Sequence, residues 1–537
     1  MDFYHKNNLL SPFTVLIFNF MLTRYSLYYP IIFLTALLAW FIYKAAGAPF
    51  SDFAGYYFGG QELLRGNYQY VYDTYSLNAL IAQKGYTGVF VCYAPFPPFT
   101  SIVFAPFLLL PVTVSKIVFN IFSAAVFVWV MTRAIKFFSI PARVTWLIPV
   151  LFFIPLRNNI FFGQAYLLLF ALLIEGYMAY KKGRMVLAAV LWSVAIVFKL
   201  FPLVVLFFLV VKKQCKQALY CVAACALLGV VSVLVNGFAA WQYYVFTIFP
   251  RSASGDLNAS YTYLFQSAFM LVKNLFVYDA VQNPHVLFNS QPLFIFSMVL
   301  YKAALLVGCV GITLSKKTTD HIAFTGWITA SILLSPNGST YSLILLLLPL
   351  LALCNSRRSY LYIGMALLFF INTIPVQSLA NWPLLLQFPR LYLLLLLFLL
   401  LVIDAGVRFR PKPFIALFIV LLLADAPKLF AQKNNSTWLL PYELPLVYAY
   451  VIKDNRLVYY YWDEKGSHET VTGYFVQQYS TGEVQIQNNQ LYYKGKRLTS
   501  TPDRKQQAML INGHHIIYLS DQNRGFGFYA LRQVPLP

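Results

Sequence analysis

The stretch Val194-Ala-Ile-Val-Phe-Lys-Leu-Phe-Pro-Leu-Val-Val-Leu206 is an apolar run that is interrupted by Lys199 and Pro202. Proline lacks a backbone N–H and fits the first turn of a helix, so we expect one helix to end near Lys199 and another to begin near Pro202. The free amides of such a helix start, together with the lysine, suit an anionic phosphate. The alternative is a lysine whose charged end reaches the membrane interface at a kink.

Similar apolar runs recur along the chain, which is 60% hydrophobic and 11% charged and has a mean hydropathy of +0.65. A soluble domain cannot bury that much apolar surface, so the sequence predicts an all-α polytopic membrane protein. Read as spans of roughly 20 residues, some of them shorter, the runs give about thirteen transmembrane helices. We expect them near 26–47, 114–132, 143–156, 163–180, 185–199, 202–211, 217–235, 292–314, 321–335, 341–354, 359–376, 389–406 and 413–430. Because residues 1–24 show no cleavage site before the first of these runs, that run is expected to remain as a helix.

The basic residues predict the orientation of these helices. If the N-terminus lies in the cytoplasm, every second junction between runs is basic, as the positive-inside rule requires. The junction residues are Arg133, Lys136 and Arg143, then Lys181, Lys182 and Arg184, then Lys212, Lys213 and Lys216, then Lys316 and Lys317, then Arg357 and Arg358, then Arg408, Arg410 and Lys412. This topology treats the proline-rich run 96–111 as lying along the outer face of the membrane. The formal net charge of +22 is then mainly charge that faces anionic lipid, and nucleic-acid binding is not supported.

Acids are scarce, with 18 against 40 basic residues, and Asp52 lies just beyond the first run. A carboxylate at a membrane boundary is a functional candidate. A positioned base accelerates attack by a hydroxyl by about 10² to 10⁴, and Asp52 is the best-placed carboxylate for that role. Glu62 and Asp73 compete with Asp52 for this role. Glu62, in an expected amphipathic helix along the membrane over 56–64, ranks second and could instead bind the acceptor. The alternative is that Asp52 only solvates the start of a loop.

Further polar residues fall on the same outward face. Arg157 is expected to bind phosphate through its guanidinium fork, and Asn158 to hydrogen-bond sugar hydroxyls, although this motif also reads as a short polar turn. Arg251, in the long loop 236–291, is another phosphate candidate, with a surface ion pair of little consequence as the alternative. The remaining candidate sugar or acceptor ligands are Tyr93, Gln164 and Asn258.

Several short motifs occur in an order that resembles glycosyltransferase family 87, the mannosyltransferase-like branch of the GT-C superfamily that depends on polyprenyl-phosphate-mannose. The similarity covers residues 26–430. Its motifs are Ser51-Asp52-Phe53, Leu63-Leu-Arg-Gly-Asn67, Tyr93-Ala-Pro-Phe-Pro-Pro-Phe99, Gly163-Gln164, Lys199 with Pro202, Asn258-Ala-Ser260 and Leu334-Ser335-Pro336. The segment Ser335-Pro-Asn-Gly-Ser-Thr-Tyr341 lacks the tryptophan and histidines expected of mannosyltransferase members, so donor sugar and acceptor stay open.

The resemblance implies a GT-C-type helix bundle, a transmembrane domain over 1–431 and a long first outward loop over 49–112. It implies a hexosyltransferase-type membrane glycosyltransferase that moves mannose, or another hexose or pentose, from a polyprenyl-phosphate donor. The acceptor is a hydroxyl of a lipid-linked or glycan molecule. The transfer inverts the anomeric carbon on the extracytoplasmic face, and the family's base maps onto Asp52. The same resemblance points to the bacterial inner membrane and to cell-envelope glycans.

After Ala431 the chain becomes rich in β-branched and aromatic segments that turn signals such as Asn512-Gly513 separate. We expect strands over 446–452, 456–462, 471–479, 490–494, 508–511 and 515–519. The sequence predicts a small β-rich domain over 432–537, which is extracytoplasmic if about thirteen spans precede it. This domain either guides the acceptor or a partner, or simply covers the outward face.

No cofactor is predicted. The six histidines do not have the spacing usual for metal ligands. A leaving phosphate that is held by cations needs no metal. The disfavoured alternative is that the carboxylates bind a divalent ion. The six cysteines lie in or beside apolar segments and are interpreted as packing residues. Two other functions stay open: a transporter or lipid-glycan flippase, in which acids and lysines line a solute route, and a glycan polymerase or ligase.

Overall fold

The computed structural model describes residues 28–86, 89, 91–253, 255, 261–278, 283, 285–408, 411–425, 437–438, 447–463, 466–487, 490–499, 503, 505–520 and 530–536. The described part is helical as far as Asp425 and forms strands from Thr437 onward. Its α-helices are α1 (Tyr28–Ala45), α2 (Asp52–Ala54), α3 (Gly60–Leu64), α4 (Tyr68–Val71), α5 (Thr74–Gln83), α6 (Phe99–Phe104), α7 (Val112–Phe137), α8 (Ala142–Leu151), α9 (Phe153–Phe162), α10 (Tyr166–Lys181), α11 (Met185–Phe198), α12 (Val204–Val211), α13 (Cys215–Asn236), α14 (Phe238–Tyr243), α15 (Phe249–Ala253), α16 (Ala268–Phe276), α17 (Gln291–Leu314), α18 (Asp320–Leu334), α19 (Leu347–Leu353), α20 (Arg358–Thr373), α21 (Pro389–Asp404) and α22 (Pro411–Asp425). Tighter or wider turns connect some of them, as π-helix at Gly55–Gly59 and Tyr244–Ile248 and as 3₁₀-helix at Phe201–Leu203, Thr340–Leu346, Val376–Leu379 and Leu384–Gln387.

Several of these helices have the length and composition of membrane spans. Among the described residues, α1, α7, α13 and α17 are long and apolar enough, and α8 with α9 adds a fifth candidate if this pair, bent by 51°, is one span. Large apolar side chains are exposed on their outer faces, such as Leu227 and Leu234 of α13, as contact with lipid requires. The chain is thus mostly helical with four or five candidate spans. The count of about thirteen crossings stays a prediction.

The helix boundaries follow the predicted apolar runs closely. The predicted break between Lys199 and Pro202 is confirmed, because α11 ends at Phe198 and a 3₁₀ turn with Pro202 in its first turn leads into α12. A second break divides α8 from α9 at Phe152. Pro155 explains it, since its ring collides with the carbonyl four residues earlier and it has no N–H to donate. The first break places Lys199 between two apolar helices.

The segment 52–64 is a buried helix, and the expectation of an amphipathic helix along the membrane is wrong. Residues 53–60 are all buried, and Tyr56 stacks on Phe104 with ring centroids 4.3 Å apart. A side chain at Gly59 would collide with the ring of Tyr93, so the missing Cβ allows the chain around Tyr93 to pack directly on this helix. The first loop therefore folds into the protein core.

The proline-rich run 96–111 forms α6, which is also covered by protein. The Thr100 hydroxyl donates to the carbonyl of Phe198 at 3.0 Å, and the Ser101 hydroxyl donates to Oδ1 of Asn236 at 2.8 Å. Both hydroxyl-bearing residues are fully buried. The start of this run thus lies between the ends of α11 and α13, and its position along the outer face of the membrane stays a prediction.

The described C-terminal part consists of antiparallel strands in three sheets, ordered β1-β11-β10-β9-β5, β2-β3-β4 and β6-β7-β8. Their bounds are β1 (Thr437–Trp438), β2 (Val447–Lys453), β3 (Arg456–Asp463), β4 (Gly466–Phe475), β5 (Tyr479–Ser480), β6 (Val484–Gln487), β7 (Gln490–Tyr493), β8 (Lys496–Arg497), β9 (Lys505–Ile511), β10 (His515–Ser520) and β11 (Ala530–Pro535). The predicted strands correspond to β2, β3, β4, β7, β9 and β10. The predicted turn at Asn512-Gly513 joins β9 to β10, with positive φ angles of 53° and 69°. One side-chain contact reaches the first loop, where Gln506 Nε2 donates to Asp73 Oδ1 at 2.8 Å.

Candidate active site

A cavity of about 1250 Å³ lies where α2, α11, α15 and the chain after α18 meet. Its polar end contains Asp52, Gln164 and Lys199, and Trp241 and Tyr341 also belong to its wall. The rest of the lining is largely apolar and includes Leu203, Val204, Phe207, Val245 and Phe249. The cavity therefore combines a small charged end with a long apolar wall.

Asp52 is the first residue of the buried helix and is exposed to this cavity. Its Oδ2 accepts a hydrogen bond from Gln164 Nε2 at 2.6 Å. Burial among protein atoms raises the pKa of Asp52, and this effect outweighs Gln164, Lys199 and Tyr341, which lower it. A carboxylate with a raised pKa is a stronger base than an ordinary aspartate.

Gln164 joins the acid to the lysine, and its amide has one allowed orientation. Its Oε1 accepts from the Tyr56 hydroxyl at 2.8 Å and from Lys199 Nζ at 3.3 Å. An ammonium can only donate, so the oxygen must face Lys199 and the amide N–H must face Asp52. Gln164 is buried, with 2% of its surface exposed. Its amide thus holds the two charged groups in place.

Gly163 explains how Gln164 reaches this position. It ends α9 in the left-handed conformation with φ 64°, and a Cβ at this residue would lie 2.6 Å from the Cβ of Phe53. Only glycine adopts that backbone without strain and leaves room for the neighbouring helix. The Gly163-Gln164 pair therefore turns the chain tightly enough for the amide to meet Asp52.

Lys199 lies in the predicted helix break, inside a cage of aromatic rings. Its Nζ is 4.0 Å from the ring centroid of Tyr166, 4.9 Å from that of Phe96 and 5.6 Å from that of Tyr56. Such contacts attract a cation to the negative faces of the rings. The motif that begins at Tyr93 contributes to the site through Phe96. Lys199 is 7% exposed and lines the cavity, so its charge is held at the wall next to Gln164.

The asparagines after Arg157 contact protein groups. Asn158 Nδ2 donates to Thr340 Oγ1 at 2.6 Å, and Asn159 Nδ2 donates to the carbonyl of Tyr341 at 2.9 Å. These bonds connect α9 to the 3₁₀ turn that carries Tyr341. Asn158 is not among the residues that line the cavity.

The other predicted phosphate ligands lie farther from the polar end. Arg157 is exposed, with its guanidinium 4.5 Å from the ring centroid of Phe161, and it does not line the cavity. Arg251 belongs to α15, beside the cavity residues Ser252 and Ala253. Lys199 is thus the predicted phosphate ligand that the structure brings next to Asp52.

Two predicted sugar or acceptor ligands, Glu62 and Tyr93, do not line the cavity. Glu62 is buried in ion pairs with Arg65 and Lys84, both at 2.5 Å. Burial raises the pKa of Glu62, but hydrogen bonds from Lys84, Asn67 and Arg65 outweigh it, so the pKa is lowered overall. Tyr93 is buried, and its hydroxyl donates to the carbonyl of Pro97 at 3.1 Å. Asn258 lies outside the described residues.

Several residues of the cavity wall were not among the predicted site residues. Trp241 donates its indole N–H to Ser232 Oγ at 3.0 Å, and the Tyr244 hydroxyl donates to the carbonyl of Pro95 at 3.1 Å. Each ring is therefore fixed at its polar end while it lines the cavity. Asn337 and Tyr341 follow Ser335-Pro336, a turn signal between apolar runs, and that signal was the available pointer to them.

No group of three or more histidine, cysteine, aspartate or glutamate residues suited to a metal ion occurs in the part of the chain that the structure describes. Metal independence remains a prediction. Among the residues that line the cavity, Asp52 and Lys199 are the charged ones.

No curated protein matches this sequence. The model of glycosyltransferase family 87 matches residues 94–336. The matched segment includes Gln164, Lys199 and Trp241, whereas Asp52 precedes it and Tyr341 follows it. The segment 94–336 therefore matches a glycosyltransferase family 87 domain, and residues on both sides of it also line the candidate active-site cavity.

Proposed function

We propose that the protein transfers a sugar from a polyprenyl-phosphate donor to a hydroxyl of a lipid-linked or glycan acceptor, with Asp52 as general base. The observation that carries this proposal is the cavity in which Asp52 and Lys199 meet through Gln164 at the end of an apolar wall. The family domain supplies the reaction class. The sugar itself stays open between mannose and another hexose or pentose.

The apolar wall supports a lipid donor. Leu203, Phe207, Val245 and Phe249 line the cavity and are also 39–53% exposed, so the wall continues to the outer surface of the helices. An isoprenoid chain gains free energy by covering such a surface. A nucleotide-sugar would place a charged diphosphate there instead, which apolar side chains do not compensate.

The reaction is a single displacement. The acceptor oxygen forms a bond to the anomeric carbon while the bond from that carbon to the phosphate oxygen breaks. The electron pair leaves with the polyprenyl phosphate, and the hydroxyl proton passes to Asp52. One displacement from the opposite side inverts the anomeric carbon. The raised pKa of Asp52 favours acceptance of that proton at the moment of attack.

Lys199 is proposed to hold the phosphate. Its ammonium has a neutral partner, Gln164, and aromatic ring faces around it. Negative charge grows on the phosphate as the bond breaks, and a fixed cation in a water-poor wall stabilises that charge more than bulk water does. Trp241 is proposed to support the sugar through its ring face.

The site is proposed to face away from the cytoplasm. Helix α10 runs from beside Gln164 to Lys181, and α11 runs back to Lys199. At the far end, Lys181 and Lys212 pair with Asp320 at 2.6 and 2.7 Å. The positive-inside rule puts that basic end in the cytoplasm. The same proposal places the chain in a bacterial inner membrane, with the N-terminus in the cytoplasm and about thirteen crossings. The C-terminal strands then lie outside the cytoplasm.

The test is transfer by the purified full chain in detergent. The reaction contains a panel of polyprenyl-phosphate sugars and a lipid extract as acceptor, with nucleotide-sugars as control donors. We expect transfer from a polyprenyl-phosphate sugar that EDTA does not diminish. In Asp52→Asn we expect the rate of transfer to fall by a factor of about 10² to 10⁴. Transfer that survives this substitution would remove Asp52 as base. Transfer only from nucleotide-sugars, or solute flux without any transfer, would overturn the proposed function.

A further inference from the structure

Gln164 lies between the two charged groups of the cavity. Its Nε2 donates to Asp52 Oδ2 at 2.6 Å, and its Oε1 accepts from Lys199 Nζ at 3.3 Å. The structure describes all three side chains, and it shows no direct ion pair between Asp52 and Lys199. The acid and the lysine therefore meet through a neutral amide.

The oxygen of this amide is fully used by protein donors. A carbonyl oxygen has two lone pairs, and Oε1 of Gln164 accepts from the Tyr56 hydroxyl at 2.8 Å as well as from Lys199. The ring of Tyr56 is stacked on Phe96 and on Phe104, with centroids 4.5 and 4.3 Å away. The amide is therefore held in one place, and its oxygen has no lone pair left for a sugar hydroxyl.

A direct ion pair between Asp52 and Lys199 would impair both groups. An ammonium that donates to a carboxylate lowers the pKa of the acid and so weakens it as a base. The same contact uses the positive charge that the leaving phosphate needs. Such a pair is hard to break in a water-poor wall, because neither charge regains its full hydration. A base and a phosphate-binding cation on one wall thus have to be kept apart.

We propose that Gln164 is a positioning residue that keeps Asp52 and Lys199 apart while it orients both. This inference rests on the proposed function, in which Asp52 takes the acceptor proton and Lys199 holds the phosphate. The amide N–H holds the carboxylate without adding a charge, and the amide oxygen holds the ammonium without neutralising it. This role differs from the predicted contact of Gln164 with sugar or acceptor.

The first test needs no substrate and compares two substitutions of Gln164. The titration midpoint of the Asp52 carboxyl is followed by difference infrared spectroscopy between pH values, and its band is assigned by its loss in Asp52→Asn. Gln164→Ala opens the gap and lets Lys199 reach the carboxylate. We expect the midpoint to fall by about one pH unit, because an ammonium donor stabilises a carboxylate more than an amide donor does. Gln164→Met keeps the gap filled and removes the amide donor, so the midpoint should rise by about one pH unit.

Two controls accompany these variants. In the Lys199→Met background, Gln164→Ala should raise the midpoint, because no cation is left to replace the amide donor. Gln217→Ala is the matched control for the loss of a buried glutamine. Gln217 is 1% exposed, its Nε2 donates to the Met185 carbonyl at 2.9 Å, and it does not line the cavity, so we expect the wild-type midpoint. A midpoint that is unchanged or raised in Gln164→Ala alone overturns the inference.

The second test separates positioning from contact with sugar. Gln164→Ala should raise the KM for the donor by about tenfold, because Lys199 has to leave Asp52 before it can hold the phosphate. Gln164→Met should keep that KM close to the wild-type value and lower kcat by about tenfold, because the two charged groups lose their orientation and keep their charges. This variant keeps the side-chain volume and tests the inference even where Gln164→Ala does not fold. A higher KM for donor or acceptor in Gln164→Met, with kcat kept, overturns the inference and supports the predicted contact with sugar.

Failure of the positioning role can be told from failure of the proposed function. If wild-type protein transfers sugar and the Asp52 midpoint does not fall in Gln164→Ala, the positioning role is wrong while the proposed function stands. If wild-type protein transfers no sugar from any donor, the proposed function is wrong and the positioning role falls with it. The infrared midpoints then still show whether Gln164 keeps Lys199 away from Asp52.

Discussion

Lys199→Met separates a functional lysine from a lysine that merely reaches the membrane interface. Methionine has nearly the same length and removes only the positive charge and its donors. The substitution removes the contacts of the Lys199 ammonium with the rings of Tyr166 and Phe96, at 4.0 and 4.9 Å from the ring centroids. These contacts are worth about 0.5–2 kcal/mol. Sulfur–aromatic contacts in the same cage return about 0.3–1.5 kcal/mol. The large desolvation cost of a buried charge with a neutral partner also disappears.

These terms predict a protein that is at least as stable as the wild type and much less active. Without the cation, the charge that develops on the phosphate is no longer compensated, and removal of one such group costs about 10² to 10³ in kcat. The assay pairs initial rates of transfer with thermal unfolding in the same detergent. We expect kcat to fall while Tm is unchanged or raised.

Lys273→Met is the matched control. Lys273 is also buried, and its Nζ lies 4.9 Å from the ring centroid of Tyr261 and 5.5 Å from that of Phe269, but it does not line the cavity. We expect its kcat to equal that of the wild type. An unchanged kcat in Lys199→Met refutes the phosphate role. If Tm falls together with kcat, the claim that the charge of Lys199 serves activity and not stability is refuted.

Three further expectations follow from the same geometry. Because burial raises the pKa of Asp52, the base is lost as pH falls through that raised value, so kcat/KM should decline on the acid side with a midpoint above the pKa of an ordinary aspartate; a midpoint in the ordinary aspartate range contradicts this. Glu62→Gln removes a buried carboxylate from its ion pairs and should lower the free energy of unfolding by about 1–3 kcal/mol, while activity per folded molecule is kept; lost activity at full stability would restore its predicted acceptor role. Gly163→Ala, at φ 64° and against Phe53, should lower the free energy of unfolding by about 1–3 kcal/mol and reduce transfer. Gly183→Ala, at φ 73° with open space around it, should lower that free energy by less. Equal unfolding curves for the two variants would disprove the packing argument.

Local patterns predicted the elements well because a helix or strand depends on its own residues. The run 185–199 became Met185–Phe198, and Pro202 marked the start of the next helical turn. The short strands β1 and β8 were missed because two residues give too little alternation to recognise, and the longer strands β6 and β11 were missed as well. Lys199 stood out in the sequence because a charge inside an apolar run is costly unless it has a partner or a function.

Local sequence patterns could not predict contacts between residues that are far apart in the chain. Asn158 looked like a sugar ligand because its amide sits in a polar turn, and its partner Thr340 lies far along the sequence. Tyr341 had only the preceding turn signal Ser335-Pro336 as a pointer, since a tyrosine at the start of an apolar run is also an ordinary interface residue. Glu62 appeared to face water because helical spacing alone cannot show that Lys84 and Arg65 fold over it.

The length of α13 couples the cavity to the thickness of the bilayer. This helix has 22 residues and exposed leucines along its surface, so it is about 33 Å long, close to the roughly 30 Å of a hydrocarbon core. Its last residue, Asn236, accepts from Ser101 of α6, and Trp241 follows shortly after. A thinner bilayer makes such a helix tilt. Hydrophobic mismatch would then shift the Trp241 wall relative to Lys199, and we expect the rate of transfer to vary with acyl-chain length in reconstituted vesicles.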